Sequence, residues 1–405
     1  MAVDKRAAAS IGKRHVPDVV APPPGNPRFP MFDGLRAIAA LSVLVHHAAY
    51  FSGYESVGKL GPWLALLSAG VILFFVISGF LLYRPFVAAD LTGRKPTPVT
   101  TFYRRRLLRI IPAYWLALTV IALLPYNAAM FDHWPRYYFL FQIYIPGSQA
   151  GIPQAWSLSV ELAFYLLIPI YAMAMRSLQL RVGIRSRIKV EAVLLVSLSA
   201  ISAVVAWWSD HEDSGVWALP VSCIWWFAIG MGLALVSAQI QTGAMKTPRV
   251  VTLISSRSVA SWLLALVVLV ASGCLVSLVP PTGWLDPDSK FIWWIVGGLI
   301  AFLLAAPAVF TEPGRGGIPG RFLSVRFVAW LGIVSYGVYL WHIAPMDWLL
   351  DGHLGLDLAG WTVRDRFIAL LAVSLAFTIP VTALSYYLIE KPFLRLKFSK
   401  KNRTS

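Results

Sequence analysis

Apolar residues fall into ten long runs, at roughly 34–53, 62–83, 110–126, 156–175, 192–208, 216–238, 259–279, 291–310, 327–350 and 367–389. Each has about the length a helix needs to cross some 30 Å of hydrocarbon at about 1.5 Å per residue. The pattern predicts an all-α integral membrane protein with about ten transmembrane helices. An even number of crossings places both termini on one side. Residues 1–30 are polar, carry Ala21-Pro22-Pro23-Pro24-Gly25 and lack the apolar stretch of a cleaved leader, so they read as a disordered tail. Residues 31–393 form the membrane domain, and 394–405 a short basic tail. No internal repeat is evident.

Composition strengthens this reading, because 58% apolar against 13% charged residues excludes a string of soluble domains. The 17 Trp, 22 Phe and 15 Tyr supply rings of the kind that collect where hydrocarbon meets water. Trp207-Trp208, Trp225-Trp226 and Trp293-Trp294 are candidates for such anchors, for helix packing or for sugar stacking. Cys223 and Cys274 sit inside apolar runs, which excludes a disulfide framework and a Cys-rich metal site; no metal is expected.

A net charge of +16 raises nucleic acid as a partner, and the placement of the basic residues removes it. With both termini cytoplasmic, 29 of the 35 Lys and Arg residues fall in inner segments, among them Arg84, Arg104 to Arg106, Arg109, Arg176, Arg181, Arg185 and Arg187. Outside lie only Lys59, Arg136, Lys290, Arg364 and Arg366, with Arg36 inside the first run. This is the asymmetry of a multi-pass protein of the plasma (inner) membrane whose basic loops face anionic lipid. Acidic residues, Glu55, Asp132 and Asp351 among them, fall in outer loops.

Polar residues at membrane depth are costly and mark function. Phe32-Asp33-Gly34-Leu35-Arg36 opens the first run, and His47, eleven residues beyond Arg36, lies roughly 16 Å further up. An imidazole there is a candidate general base, with a packing histidine as the alternative. Glu161 lies about 7 Å along the fourth run from its outer end, and His342 about 22 Å up the ninth, so His47, Glu161 and His342 are expected to share the middle-to-outer layer. Near the inner face lie Arg36, Ser78 and the pair Arg106 and Arg109, which share one helix face and suit phosphate binding. Arg104 and Arg105 read as headgroup contacts.

Several stretches together resemble the acyltransferase-3 family of integral membrane acyltransferases. They are Phe32 to Ala37 with the Arg, ten residues, His spacing from Arg36 to His47; Phe74 to Leu81, containing Ser78-Gly79-Phe80; and Arg106-x-x-Arg109 leading into Ile110-Ile111-Pro112-Ala113-Tyr114-Trp115. Trp156-Ser157-Leu158-Ser159-Val160-Glu161, Ser335 to His342 and Glu390-Lys391-Pro392 follow in family order, spanning nearly the whole chain.

The resemblance implies a ten-helix core that takes an acyl group, commonly acetyl, from acyl-CoA on the cytoplasmic side. The acceptor it implies is a hydroxyl of a glycolipid or carbohydrate, often at the outer side. Many relatives carry a further extracytoplasmic hydrolase-like domain; this chain stops soon after the tenth run, so transfer is expected to finish within the bundle or with a partner, such as an envelope lipid exporter. In this reading His47 is the base, and Glu161 orients it or holds sugar hydroxyls. Arg36, Arg106, Arg109 and Ser78 hold acetyl-CoA, while His342, Ser335 and Trp156 line the acceptor site. A covalent acyl-His47 is a variant. An envelope glycolipid such as a trehalose mycolate ranks first as acceptor, ahead of a macrolide-type metabolite. His342 and Asp347 also show the His-x-x-x-x-Asp spacing of glycerolipid acyltransferases, but Pro345 intervenes. A proton-coupled exporter or flippase is the competing class, one with no use for paired arginines at the inner face.

Overall fold

A computed structural model describes residues 29–123, 128–145, 151–211, 219–278, 287–311 and 316–396. Most of the two predicted tails, and the loop residues Glu212, Asp213 and Asp286, lie outside the described residues. Within them the chain is helical, without a strand.

The main helices are α1 (Met31–Phe51), the short α2 (Tyr54–Val57), α3 (Ala69–Leu91), α4 (Val99–Ala122) and α5 (Trp156–His211). They continue with α6 (Pro220–Gln241), α7 (Ser258–Ser277), α8 (Pro287–Phe310), α9 (Arg326–Trp341), α10 (Ala344–Leu350) and α11 (Val363–Ser385). Among the described residues seven helices are long and apolar enough to cross a membrane, or eight if Gly317–Leu323 and α9, bent by 57°, count as one span. The three other predicted runs meet specific obstacles. Run 110–126 forms the end of α4, whose first half carries Arg104, Arg105, Arg106 and Arg109. Run 192–208 continues from 156–175 as α5 with no loop between them; the connection is helix interrupted at Gly183, whose φ of 79° only glycine adopts without strain. Run 327–350 breaks after Trp341, and α10 follows.

Helix ends follow local chemistry. Thr362 caps α11 by accepting from Asp365 N at 3.2 Å, which satisfies a donor of the first turn, while its hydroxyl donates to Asp365 Oδ2 at 2.7 Å. Pro220 starts α6, where a missing N–H costs nothing.

The core forms where α3 crosses α6 and α1 crosses α9. Gly79 abuts Phe227 O and Gly230 abuts Val76 O, so a methyl group at either would collide with backbone. Close approach of this kind supplies the dispersion that holds helices together in lipid, where burial from water drives little. The paired tryptophans act here as packing groups. Trp225 stacks on Trp294 with centroids 5.0 Å apart, and Trp294 Nε1 donates to Ser222 O at 3.0 Å. Trp207 and Trp208 instead face outward, as do Val193 and Val196 of α5 and Leu263, Leu264 and Val267 of α7, an apolar exterior suited to lipid.

Two arginines expected at the inner lipid face are buried inside the bundle. Arg84 donates from Nε to Ser237 Oγ at 3.2 Å and from a terminal nitrogen to Gln241, with its guanidinium 5.3 Å from the Phe29 ring centroid. Arg187 pairs with Glu191 at 3.0 Å, donates to Tyr83 Oη at 3.0 Å and lies 3.8 Å from Asp90, which Arg176 also binds at 2.8 Å. This cluster ties the inner end of α3 to α5 on both sides of Gly183. A charge count by loop could not detect it, because Glu191 answers Arg187 one turn later on the same helix.

Candidate functional site

A cavity of about 80 Å³ opens between α1, α3, α4, α5 and α9. Of the nine residues singled out from the sequence, Arg36, Ser78, Arg106, Arg109, Glu161 and Ser335 line it. Each arrives by helix register. Arg106 and Arg109 share one face of α4, and Ser78 lies on the face of α3 that also brings Phe74, Phe75, Leu81 and Leu82 to the cavity. Ser335 turns its hydroxyl back to Gly332 O at 2.8 Å, which leaves its oxygen free to accept.

Three guanidinium groups face one carboxylate in this space, and they are only sparsely paired. Arg36 reaches Asp33 at 3.4 Å. Arg109 makes no hydrogen bond or ion pair among the described residues, and Arg106 Nε is buried without a partner. The Arg106 guanidinium lies 5.8 Å from the Phe102 ring centroid and 5.9 Å from that of Tyr165, which supplies some attraction but no acceptor. Buried donors left open in a positive cavity suit a ligand rich in phosphate oxygens.

Above the cavity stands Tyr339, which also lines it. Its hydroxyl is 2.7 Å from Ser157 Oγ and donates to Gln154 O, while Gln154 Nε2 donates to Tyr339 O at 3.0 Å. The Phe74 ring sits edge-on to Tyr339 at 6.4 Å. On the far side the Tyr339 and His342 rings are 6.0 Å apart.

His342 and His47 meet there, with His342 Nε2 at 3.0 Å from His47 Nδ1. The neighbours fix the tautomers. His342 Nδ1 faces Val338 O at 3.1 Å and Tyr339 O at 2.9 Å, both acceptors, so it carries the proton and its Nε2 is a lone pair. His47 Nδ1 faces that lone pair and Val43 O at 2.9 Å, so it too carries the proton. His47 Nε2 is then left with an open lone pair, the state a general base requires. Ser374 Oγ donates to His342 O at 2.8 Å and fixes the carbonyl at the break after α9.

The expected grouping therefore divides. His47 and His342 come together, but Glu161 is not with them; its Oε1 accepts from Ser78 Oγ in the arginine cavity. The reason lies in where α5 begins. Its first turn is bonded to Tyr339 through Gln154 and Ser157 rather than sitting at the outer surface. Glu161, five residues after Trp156, is thus about 7 Å below that level. His47 is oriented by His342 and Val43 O instead. Trp156 does not line the cavity; its ring packs edge-on against Phe75 at 6.4 Å. Asp347 lines a separate small space with Gln154 and Ile343.

Tyr339, Ser157, Tyr336 and Tyr165 had no assigned role in the sequence, although the first three lie in quoted motifs. Glu55, expected in an outer loop, is buried and pairs with His46 at 2.6 Å. No spacing signals that pair, because the chain reverses through Gly53, φ 76°, before Glu55 returns to α1. Among the described residues no group of three or more His, Cys, Asp or Glu side chains is arranged to hold a metal ion.

Known proteins resemble the chain along most of its length. YrhL of Bacillus subtilis is 25% identical over 390 residues, covering 90% of this chain and 54% of the relative. Acyltransferase MdmB of Streptomyces mycarofaciens is 27% identical over 403 residues, 92% of this chain and 94% of the relative. Peptidoglycan O-acetyltransferase OatA of Listeria monocytogenes is 23% identical over 393 residues, 91% and 56% respectively. The chain thus spans about half the length of two of these relatives and nearly all of the other. No solved structure matches it. The acyltransferase-3 family's acyltransferase domain matches residues 30–386, with the arginine cavity and the histidine pair inside that span, and the chain belongs to this family.

Proposed function

We propose that the protein is a ten-pass O-acyltransferase of the plasma membrane, with both termini cytoplasmic, that moves an acetyl group from acetyl-CoA to a carbohydrate hydroxyl of the cell envelope. One observation carries the reading: a cavity with unpaired buried guanidinium groups lies directly beneath a histidine pair whose tautomers leave one base nitrogen open. Relatives named as peptidoglycan O-acetyltransferases support acetyl as the group and a glycan or glycolipid as the acceptor. The 29-to-five distribution of basic residues supports the topology.

In this reading Arg36, Arg106 and Arg109 hold the phosphates of acetyl-CoA, and its extended arm carries the thioester upward past Ser78 and Ser335 toward Tyr339. A thioester is already activated, so the protein's task is to position the hydroxyl and remove its proton. His47 Nε2 accepts that proton, held in line by His342 and Val43 O. The acceptor oxygen bonds to the acyl carbon, the C–S bond breaks, and the proton ends on the departing thiolate. Glu161, through Ser78, holds the floor of the thioester channel rather than the base.

The test is release of free CoA from acetyl-CoA by protein in nanodiscs with a membrane lipid extract as acceptor, for wild type and His47→Ala. Release that is lost in a folded His47→Ala variant supports the reading. Wild-type protein that neither binds acetyl-CoA nor releases CoA overturns it in favour of a proton-coupled exporter or flippase.

A further inference from the structure

The site has one buried carboxylate with no part in the scheme above. Glu55 follows the turn after α1, and its side chain is only 3% exposed. It is held firmly: Ser52 Oγ accepts from Tyr54 N at 3.2 Å, and the Tyr54 ring stacks on Phe367 at 5.2 Å. A carboxylate so placed is expensive unless it is paired, and its partner is His46 Nδ1 at 2.6 Å. The His46 ring in turn lies 5.0 Å from that of His47. Three imidazoles and one carboxylate therefore form a continuous group, Glu55–His46–His47–His342, across α2, α1 and α9.

Charge balance gives this arrangement its meaning. With the tautomers already derived, His47 and His342 are neutral, and His46 Nδ1 faces Glu55 at an ion-pair separation of 2.6 Å. With His46 neutral and Glu55 ionised, the group carries one negative charge before reaction and none after taking up one proton. Without Glu55 the same group would begin neutral and end as a buried cation, whose nearest acceptors are the Val43 carbonyl and another imidazole. A low-dielectric site favours the first course. The neighbouring titratable groups do not supply the anion. On α1 Tyr50 packs against His46, ring centroids 6.4 Å apart, and on α9 Tyr339 is committed to Ser157 and Gln154. At the start of α11 Asp365 is held by Thr362 and Arg366 by Trp361 O, while Arg364 is exposed, as is Lys59 after α2.

We propose that Glu55, acting through His46, is a positioning residue for the transfer: its negative charge makes the histidine group take up the one proton that the acceptor hydroxyl must lose. The step balances as before. The hydroxyl oxygen bonds the acyl carbon, the C–S electron pair leaves on sulfur, and the proton passes by way of His47 to give the free thiol. The inference rests on the acyltransferase reading and adds a residue that neither the motifs nor the arginine cavity contains.

The experiment measures pH–rate profiles of CoA release from acetyl-CoA by full-length protein in nanodiscs, with the lipid extract as acceptor. Glu55→Gln is expected to lower kcat about tenfold or more through loss of the nearby charge, with KM for acetyl-CoA unchanged. Its acid limb moves to lower pH, because a proton on His47 no longer has an anion nearby and needs more acid to bind. Glu55→Asp keeps most of the activity. An unshifted acid limb overturns the proposal whatever happens to kcat, because a merely structural role lowers Tm and amplitude without moving it. An inactive wild type that does not bind acetyl-CoA removes the acyltransferase reading and this inference together; an active wild type matched by Glu55→Gln removes this inference alone.

Discussion

The arginine cavity and the Arg187 cluster are both buried, both built on α3 and α5, and both rich in guanidinium and carboxylate groups, yet they are wired in opposite ways. In the cluster, Arg187 has Glu191 at 3.0 Å, Asp90 at 3.8 Å and the Tyr83 hydroxyl at 3.0 Å. In the cavity, Arg106 Nε is buried without a partner and Arg109 is unpaired among the described residues. Burying a charge is costly in both places. The cluster offsets the cost within the chain and so holds α3 against the broken α5, whereas the cavity leaves it to be offset by something that binds. What separates a structural arginine from a binding arginine here is the presence of a partner, and burial alone does not distinguish them.

Substitutions should break this contrast in a graded way. The largest effect belongs to neither arginine group: His47→Ala should lower kcat by at least about a thousandfold, the upper range for loss of a general base, with Tm unchanged. A comparable energy, read as stability, is expected from Arg187→Met, which leaves Glu191 buried and uncompensated; a loss of about 3–5 kcal/mol in detergent denaturation is the expected result. Replacing both Arg187 and Glu191 by apolar residues of similar volume should restore much of that loss, and failure to do so would show that Tyr83 and Asp90 need the pair for more than charge. Arg106→Ala should raise KM for acetyl-CoA about tenfold, the worth of a charge-assisted hydrogen bond, and leave Tm equal or higher. A fall in Tm at Arg106 would erase the contrast. An effect of similar size, read as stability, is expected at Tyr339→Phe, which removes the bonds to Ser157 and Gln154 at about 1 kcal/mol per lost bond and lowers Tm modestly.

Much of this was legible in the sequence for reasons that can be named. Run length and hydropathy locate helices because lipid leaves the backbone no other partner, and all ten apolar runs contain helix. Six of the residues singled out line the cavity, Arg106 and Arg109 because a spacing of three puts them on one face and the others because they lie in motifs that resemble the family's. Depth was harder to read. Counting from the end of a run presumes that the run begins at the membrane surface, and α5 begins lower, at Tyr339, so Glu161 was placed a level too high and matched to the wrong partner. Loop charge likewise misassigned Arg187, because a helix that continues past the expected loop carries its arginine into the bundle. Glu55 was invisible because a chain reversal at a left-handed glycine brings together residues with no helical spacing.

Tyr339 has a further consequence. It lines the cavity and borders the histidine pair, and its hydroxyl and carbonyl are both tied to Gln154, just before α5. The ring lies between the arginine cavity and the histidine pair, held at both its hydroxyl and its backbone carbonyl. The two tethers on this ring therefore set how far any passage from the cavity to the histidine pair can widen.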